Sequence, residues 1–277
     1  MELTESFPVW AVCRTLGVPT SSYYYRSQKD GDEPLRAAID MEAASWPRYG
    51  YRRITQELRR KGWRVNEKRV RRLMREMNLQ VKPAKRKWGT TNSRHDLPRY
   101  PNLIKGLEAT RSDQVWAADI TYVRLRHGYV YLAVIMDLFT RGIRGWHLGR
   151  RLDHTLSLTA LEKALLTGAP EIHHSDHGVQ YATVRYVEML QEAGVQVSMS
   201  DIGQPTQNAY VERLIRTIKE EEIDLSDYAN YAEARTQIGQ FIEDVYTYKR
   251  IHSSLGYLTP AEFEMQWRSI RAEAEVI

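Results

Sequence analysis

The sequence predicts an α/β protein: a mixed five-stranded sheet with helices packed on it, preceded by a small all-helical, strongly basic region. Three observations carry this. After Asp113 the residue pattern runs strand, strand, strand, helix, strand, helix, strand, helix, an order that fits helices on a mixed sheet. Before it, apolar residues recur at helical rather than strand spacing. Charge is also divided along the chain. Residues 48–94 hold 17 Lys and Arg against three acidic residues, a net of +14, which leaves −9 for the remainder of a chain whose total is +5. Such asymmetry points to a phosphate-binding region joined to a part with another task. A solvated basic helical face is the plainer alternative.

At 277 residues the chain is long enough for one sizeable core and a smaller module. No apolar run approaches the roughly 20 residues needed to span a bilayer, so no membrane association is expected. The start, Met1-Glu2-Leu3-Thr4-Glu5, lacks the basic and then apolar regions of a secretory signal. A single cysteine, Cys13, excludes an internal disulfide and a thiolate zinc cluster. These features predict a reducing, cytoplasmic location.

Residues 1–45 read as a helical segment. Residues 9–25 fit two short helices around Gly17-Val18-Pro19, the second capped by Thr20 or Ser21. Tyr23, Tyr24 and Tyr25 are read as packing residues rather than base-stacking ones. Residues 28–34 are polar and form a connection, and Leu35 to Ser45 form a helix ending before Pro47. Residues 46–81 then make a helix-turn-helix. Ile54 and Leu58 share one face, Gly62 stops the first helix, and Asn66 caps a second running to about Asn78. Val70, Leu73, Met74 and Met77 form its apolar stripe, leaving Lys68, Arg69, Arg71, Arg72 and Arg75 outside it. Those five are the expected DNA contacts, whether the helix enters the major groove or only touches phosphates. Residues 82–112, with the cluster Lys85-Arg86-Lys87, form a basic linker that is also expected to contact DNA.

The core is predicted over 113–225. Val115–Val123, Tyr129–Met136 and Arg144–Leu148 are rich in β-branched and aromatic residues and read as strands. Asp153 caps a helix to about Leu166; strands at Glu171–Ser175 and Val195–Ser200 flank a helix from Thr183 to Ala193. Ala209–Glu222 is the last core helix, and 226–277 is a helical extension. Trp116 and Trp146 are read as core residues.

Three acids stand out. Asp119 lies within the apolar strand Trp116–Tyr122, Asp176 follows the strand-like Ile172-His173-His174-Ser175, and Glu212 is one turn into the last core helix. A carboxylate inside an apolar strand is costly without partners. Taken singly, such an Asp is more commonly a hydrogen-bonded structural residue, and a helical Glu is usually solvated. Carboxylates converging from separate elements are, however, what hard divalent cations require. His173, His174 and His177 near Asp176 raise the question of zinc. Strand alternation sends the first two to opposite faces, and no thiolate is near.

Three stretches, Trp116-Ala117-Ala118-Asp119-Ile120-Thr121-Tyr122, His174-Ser175-Asp176-His177-Gly178-Val179-Gln180-Tyr181 and Gly203–Arg213, resemble the acidic motifs of insertion-sequence transposases of the IS-three family. Thirty-five residues separate Asp176 from Glu212, the spacing of that family's DD(35)E pattern, and Lys219 stands at its basic position seven after Glu212. Tyr49-Gly50-Tyr51-Arg52-Arg53-Ile54 resembles the family's second helix-turn-helix, and Tyr248–Ala261 its closing motif.

The resemblance implies a ribonuclease-H-like core similar to retroviral integrase. It implies Asp119, Asp176 and Glu212 as catalytic ligands of two Mg²⁺ (or Mn²⁺) ions, acting on double-stranded DNA. Lys219 then reaches DNA from the same helical face as Glu212. Many relatives carry Asp-Asn where this chain has Gln207-Asn208, so both are expected at the DNA, and His177 beside a metal-bound water or phosphate. Cleavage and strand transfer at transposon ends would follow, with at least a dimer on DNA and an upstream-frame partner in the complete enzyme. A DNA-binding regulator without catalysis is the alternative.

Overall fold

The computed structural model describes residues 7–24, 31–81, 98–201 and 204–274. Tyr25 and the Lys85-Arg86-Lys87 cluster lie outside them. The chain divides into two compact units, Met1–Gln80 and Val81–Ile277.

In the first unit, α1 (Val9–Thr15) and α2 (Thr20–Tyr24) are joined through Gly17 in the left-handed region at φ 65°. Thr20 is the first helical residue rather than the cap; the Ser22 N–H instead bonds the Pro19 carbonyl. Tyr23 and Tyr24 meet edge to face with centroids 5.2 Å apart, and both are exposed. This corrects the expectation of buried packing, because a helix of five residues offers no face broad enough to cover two rings.

Helices α3 (Glu33–Ser45), α4 (Tyr51–Arg60) and α5 (Glu67–Glu76) pack on one another through Leu35, Ile39, Ile54, Leu58, Val70, Leu73 and Met74, all buried. The helix starts and stops follow the sequence. Gly62 takes φ 87°, and the Asn66 side chain accepts the Lys68 N–H at 2.8 Å. The polar side of the bundle was not foreseen. Buried Asp32 accepts from Arg69 Nε at 2.8 Å and Arg72 Nη2 at 2.6 Å, and Arg36 pairs with Glu76.

In the second unit the sheet order is β3-β2-β1-β4-β5, from β1 (Val115–Arg124), β2 (Tyr129–Asp137), β3 (Ile143–Gly149), β4 (Ile172–Ser175) and β5 (Gln196–Met199). β1, β2 and β3 pair antiparallel, while β4 is parallel to both β1 and β5, so the sheet is mixed as expected. Strand alternation sorts the side chains into two cores. Trp116, Ala118, Ala133 and Ile135 face α6 (His154–Leu165) and α7 (Val184–Glu192). Val115, Ala117, Val123, Leu132 and Val134 face α8 (Ala209–Glu221), α9 (Tyr231–Gln240) and a π-helical stretch, Phe241–Lys249. α6 sits so close to β3 that a Cβ on Gly145 would fall 2.3 Å from the Ala160 carbonyl oxygen.

Segments beyond residues 113–225 also build this unit. Ile104 and Ala109 pack on the second core, and the Leu103 N–H donates to Ser198 Oγ at 2.9 Å. Ile238, Phe241, Ile242 and Tyr246 are integral to it. α10 (Pro260–Ala274) begins with a reciprocal cap, Thr259 Oγ accepting from Glu262 N–H and Glu262 Oε2 from Thr259 N–H. Its Phe263 and Trp267 rest on Phe139.

Candidate active site

Strand register brings the first two acids together. The parallel ladder between β1 and β4 ends at the pair Ala118–Ser175, so Asp119 and Asp176 are each the next residue beyond it. Neighbouring strands lie about 4.8 Å apart, which makes these two residues neighbours although 56 positions separate them in sequence. The location is the carboxyl end of β4, at the point where the strand order reverses, with β2 and β3 on one side of β1 and β4 and β5 on the other. Ligand sites of α/β sheets favour such a switch point.

Local bonds orient both carboxylates. Asp119 Oδ1 accepts its neighbour Ile120 N–H at 2.8 Å. Asp176 Oδ1 accepts the Gly178 N–H at 2.9 Å in an Asx turn. A Cβ at Gly178 would stand 3.0 Å from that same oxygen and 3.3 Å from the Tyr181 ring, so the turn closes most easily over glycine. The Tyr181 hydroxyl is buried close by with no hydrogen-bond partner among the described residues, and burial, then the charge of Asp119, pushes its ionisation well up.

Glu212 comes from the first turn of α8, whose start is fastened to β1. Asn208 is buried, and its Nδ2 donates to the Ala118 carbonyl at 3.2 Å, immediately before Asp119. The expectation that Asn208 reaches DNA therefore meets a side chain turned into the protein. Gln207 is likewise engaged: its Oε1 accepts from Asn102 Nδ2 at 2.8 Å and its Nε2 donates to Asp201 Oδ2 at 2.8 Å. The Asn208 bond to Ala118 and the Gln207 bond from Asn102 had no local sequence signal, since those partners lie 90 and 105 residues away.

The carboxylates feel one another. Burial first, then the charge of Asp176 and more weakly that of Glu212, together push the Asp119 pKa up to about 8 against the opposing Ile120 N–H and Lys219. Burial also raises Glu212, against the pull of Arg216 and with a push from Asp176. Among the described residues no group of three or more His, Cys, Asp or Glu side chains is placed to hold a metal ion as it stands. What a cation finds here is a half-buried set of mutually repelling hard oxygen donors, a set whose repulsion it would relieve.

The histidines divide as alternation requires. His173 bonds the Tyr186 hydroxyl at 3.0 Å on one face; His174 bonds Ser198 and Ser200 hydroxyls at 2.9 and 3.0 Å on the other. Burial lowers their pKa values to about 3 and about 4, keeping both neutral. His177 is half-buried beside Asp176. Lys219 lies with its Nζ 4.4 Å from the centroid of the Tyr122 ring. In the first unit Lys68, Arg69, Arg71, Arg72 and Arg75 are all exposed, and Arg69 and Arg72 are in addition bonded to Asp32.

Comparison with known proteins follows the same division. An Integrase core domain family matches residues 109–205, a second family of that description residues 193–260, and an HTH-like domain residues 29–87. The transposase for insertion sequence element IS904 of Lactococcus lactis is 38% identical, over 78% of this chain and 87% of its own. Transposase InsF for insertion sequence IS3A of Escherichia coli K12 is 34% identical, over 93% of this chain and 94% of its own. The chain belongs to the IS-three family of insertion-sequence transposases. The ribonuclease-H-like core expected for a transposase of this family is the mixed five-stranded sheet described above. The HTH-like match begins before α3, in keeping with the packing of α3 on α4 and α5. Among solved structures, the HTLV-2 integrase catalytic core domain in complex with magnesium aligns with 55% of this chain and 96% of its own, at 17% identity and a TM-score of 0.46.

Proposed function

We propose that this chain is a DNA transposase that cuts and joins insertion-sequence ends through Asp119, Asp176 and Glu212. The observation that supports it most is the meeting of Asp119 and Asp176 at the end of one parallel ladder, with Glu212 on the helix fastened beside them. Two divalent ions, Mg²⁺ or Mn²⁺, held by these carboxylates would supply positive charge for the attacking and leaving oxygens of a phosphodiester.

The chain's own residues set the geometry. Asp119 and Asp176 fix one edge of the site from the sheet, and Glu212 fixes the other from α8. Lys219 holds the neighbouring phosphate. Water attacks a terminal phosphodiester and frees a 3′ hydroxyl. That hydroxyl then attacks a second phosphodiester, forming a new P–O bond as the bond to the displaced 3′ oxygen breaks. No covalent enzyme intermediate is needed, so none of the chain's hydroxyls or its thiol must act as nucleophile. Holding two ends together requires at least a dimer on double-stranded DNA. Lys68, Arg71 and Arg75 are exposed contacts offered by the first unit.

The test is a strand-transfer assay on DNA carrying the element's ends, with Mg²⁺ or Mn²⁺, comparing wild type with Glu212→Gln. Joined product from wild type, and none from a variant that still binds DNA, is the expected result. Equal product from both would refute the assignment. Bound DNA with no product from either would point to a regulator, or to a chain that needs an upstream-frame partner.

A further inference from the structure

The β1–β2 hairpin leaves two large rings in water. Tyr122 and Tyr129 are 44% and 57% exposed. They stand diagonally across the hairpin, since the register pairs Tyr122 with Tyr131 and Arg124 with Tyr129. Their rings meet edge to face, centroids 5.8 Å apart and planes at 83°, and the Lys219 Nζ lies 4.4 Å from the Tyr122 ring centre. These contacts hold the rings in fixed orientations. The segment from Tyr122 to Tyr129 contains Arg124, Arg126 and His127, of which Arg126 pairs with Asp227 at 3.0 Å. Aromatic rings with Lys219 against one of them suit a ligand that has both a π-face and a phosphate. We propose that Tyr122 and Tyr129 form a stacking platform for an unpaired nucleobase, with Lys219 at the adjoining phosphate.

The proposal rests on the transposase reading for its purpose, which is to hold a strand end at the carboxylates. Its position suits that purpose. Tyr122 is three residues beyond Asp119 on β1, roughly 10 Å along a strand and on its alternate side, and Lys219 reaches its ring from α8. Lys219 is nearly two turns beyond Glu212 on α8, on the same face, and its charge is felt at Asp119. Stacking tolerates any base because every base has a π-face. The platform therefore favours a frayed or single-stranded end over a blunt one without reading its sequence.

The test uses the full chain with Glu212→Gln, without divalent ion, so that no turnover intervenes. The probe is a duplex with a short single-stranded overhang carrying 2-aminopurine, followed by fluorescence and by anisotropy. Binding should quench the fluorophore. Tyr122→Leu and Tyr129→Leu should each relieve the quench and weaken overhang binding about tenfold, leaving a blunt duplex unaffected, whereas the Phe variants keep both properties. An unquenched overhang when bound to the Tyr-containing chain, or Leu variants that quench as it does, would reduce the pair to a hairpin brace. Should Tyr122→Leu fail to fold by thermal melting, Tyr129→Leu and the quench by the Tyr-containing chain decide. Quenching without strand transfer in the wild type would support the platform and point the function to a regulator or a chain that needs an upstream-frame partner; strand transfer without quenching would overturn the platform and leave the transposase reading standing.

Discussion

At Asp119 the fold sets burial and two like charges against a carboxylate that water leaves ionised above pH 4. With a pKa of about 8 in place of 3.8, the folded chain keeps a proton that the unfolded chain has already released. This group therefore makes stability fall as pH rises from about 4 to about 8. Asp119→Asn should flatten that decline and, without divalent ion, melt a few degrees above wild type at pH 8, where about 1 kcal/mol moves the midpoint ~2–4 °C. Mg²⁺ should raise the wild-type midpoint more than the variant's. Calorimetry across pH checks both; a variant melting below wild type at pH 8 would contradict them. Asn208 calls for a different experiment. Removing its bond to the Ala118 carbonyl by Asn208→Ala should cost about 1–3 kcal/mol in urea titration and slow strand transfer at unchanged DNA affinity. Weaker DNA binding with intact stability would instead restore the DNA contact expected from sequence.

At the scale of elements, α8 is held at both ends. Asn208 fastens its start to β1, and Glu221 at its end receives two bonds of 2.7 Å from Arg250, which is buried in the closing motif. His252 lies against the same guanidinium, and its ring meets Tyr246 edge to face. The motif Tyr248–Ala261 thus anchors the helix that carries Glu212, by a bond spanning 29 residues. Arg250→Met leaves Glu221 buried without its cation and should destabilise the second unit by about 3–5 kcal/mol. The double variant Glu221→Gln/Arg250→Met should recover much of the loss in the same denaturation curves. Equal losses in single and double variants would mean that the arginine acts through packing alone.

Across the whole molecule the expected DNA-binding cations of α5 and the three carboxylates fall in different units. The first unit holds the exposed Lys68, Arg71 and Arg75, while the carboxylates belong to the second. DNA affinity should fall steeply with salt, and each phosphate contact removed should lower the log–log slope by about 0.9. Alanine at Lys68, Arg71 and Arg75 together should flatten the slope with little loss of stability. Arg69→Ala and Arg72→Ala strip partners from buried Asp32, whose carboxyl Arg69 and then Arg72 hold low, so they should lower thermal stability first. Titrations of binding against salt, paired with melting curves, separate the two groups. An unchanged slope in the triple variant would move the DNA contact elsewhere.

Element types, their order and the three acids were legible in the sequence because each depends on residues close together. Runs rich in β-branched and aromatic residues mark the first strands, Asn66 and Asp153 mark helix starts that their side chains do cap, and Gly62 marks a stop. The spacing of Asp176, Glu212 and Lys219 was a property of the chain itself. Tertiary structure decided the partners. A ladder register made Asp119 and Asp176 neighbours, a buried Asp32 divided five similar basic side chains into two kinds, and a carbonyl 90 residues away drew Asn208 inward. Periodicity tells which face of an element is apolar, whereas the partner of a buried polar group depends on which distant backbone folds against it.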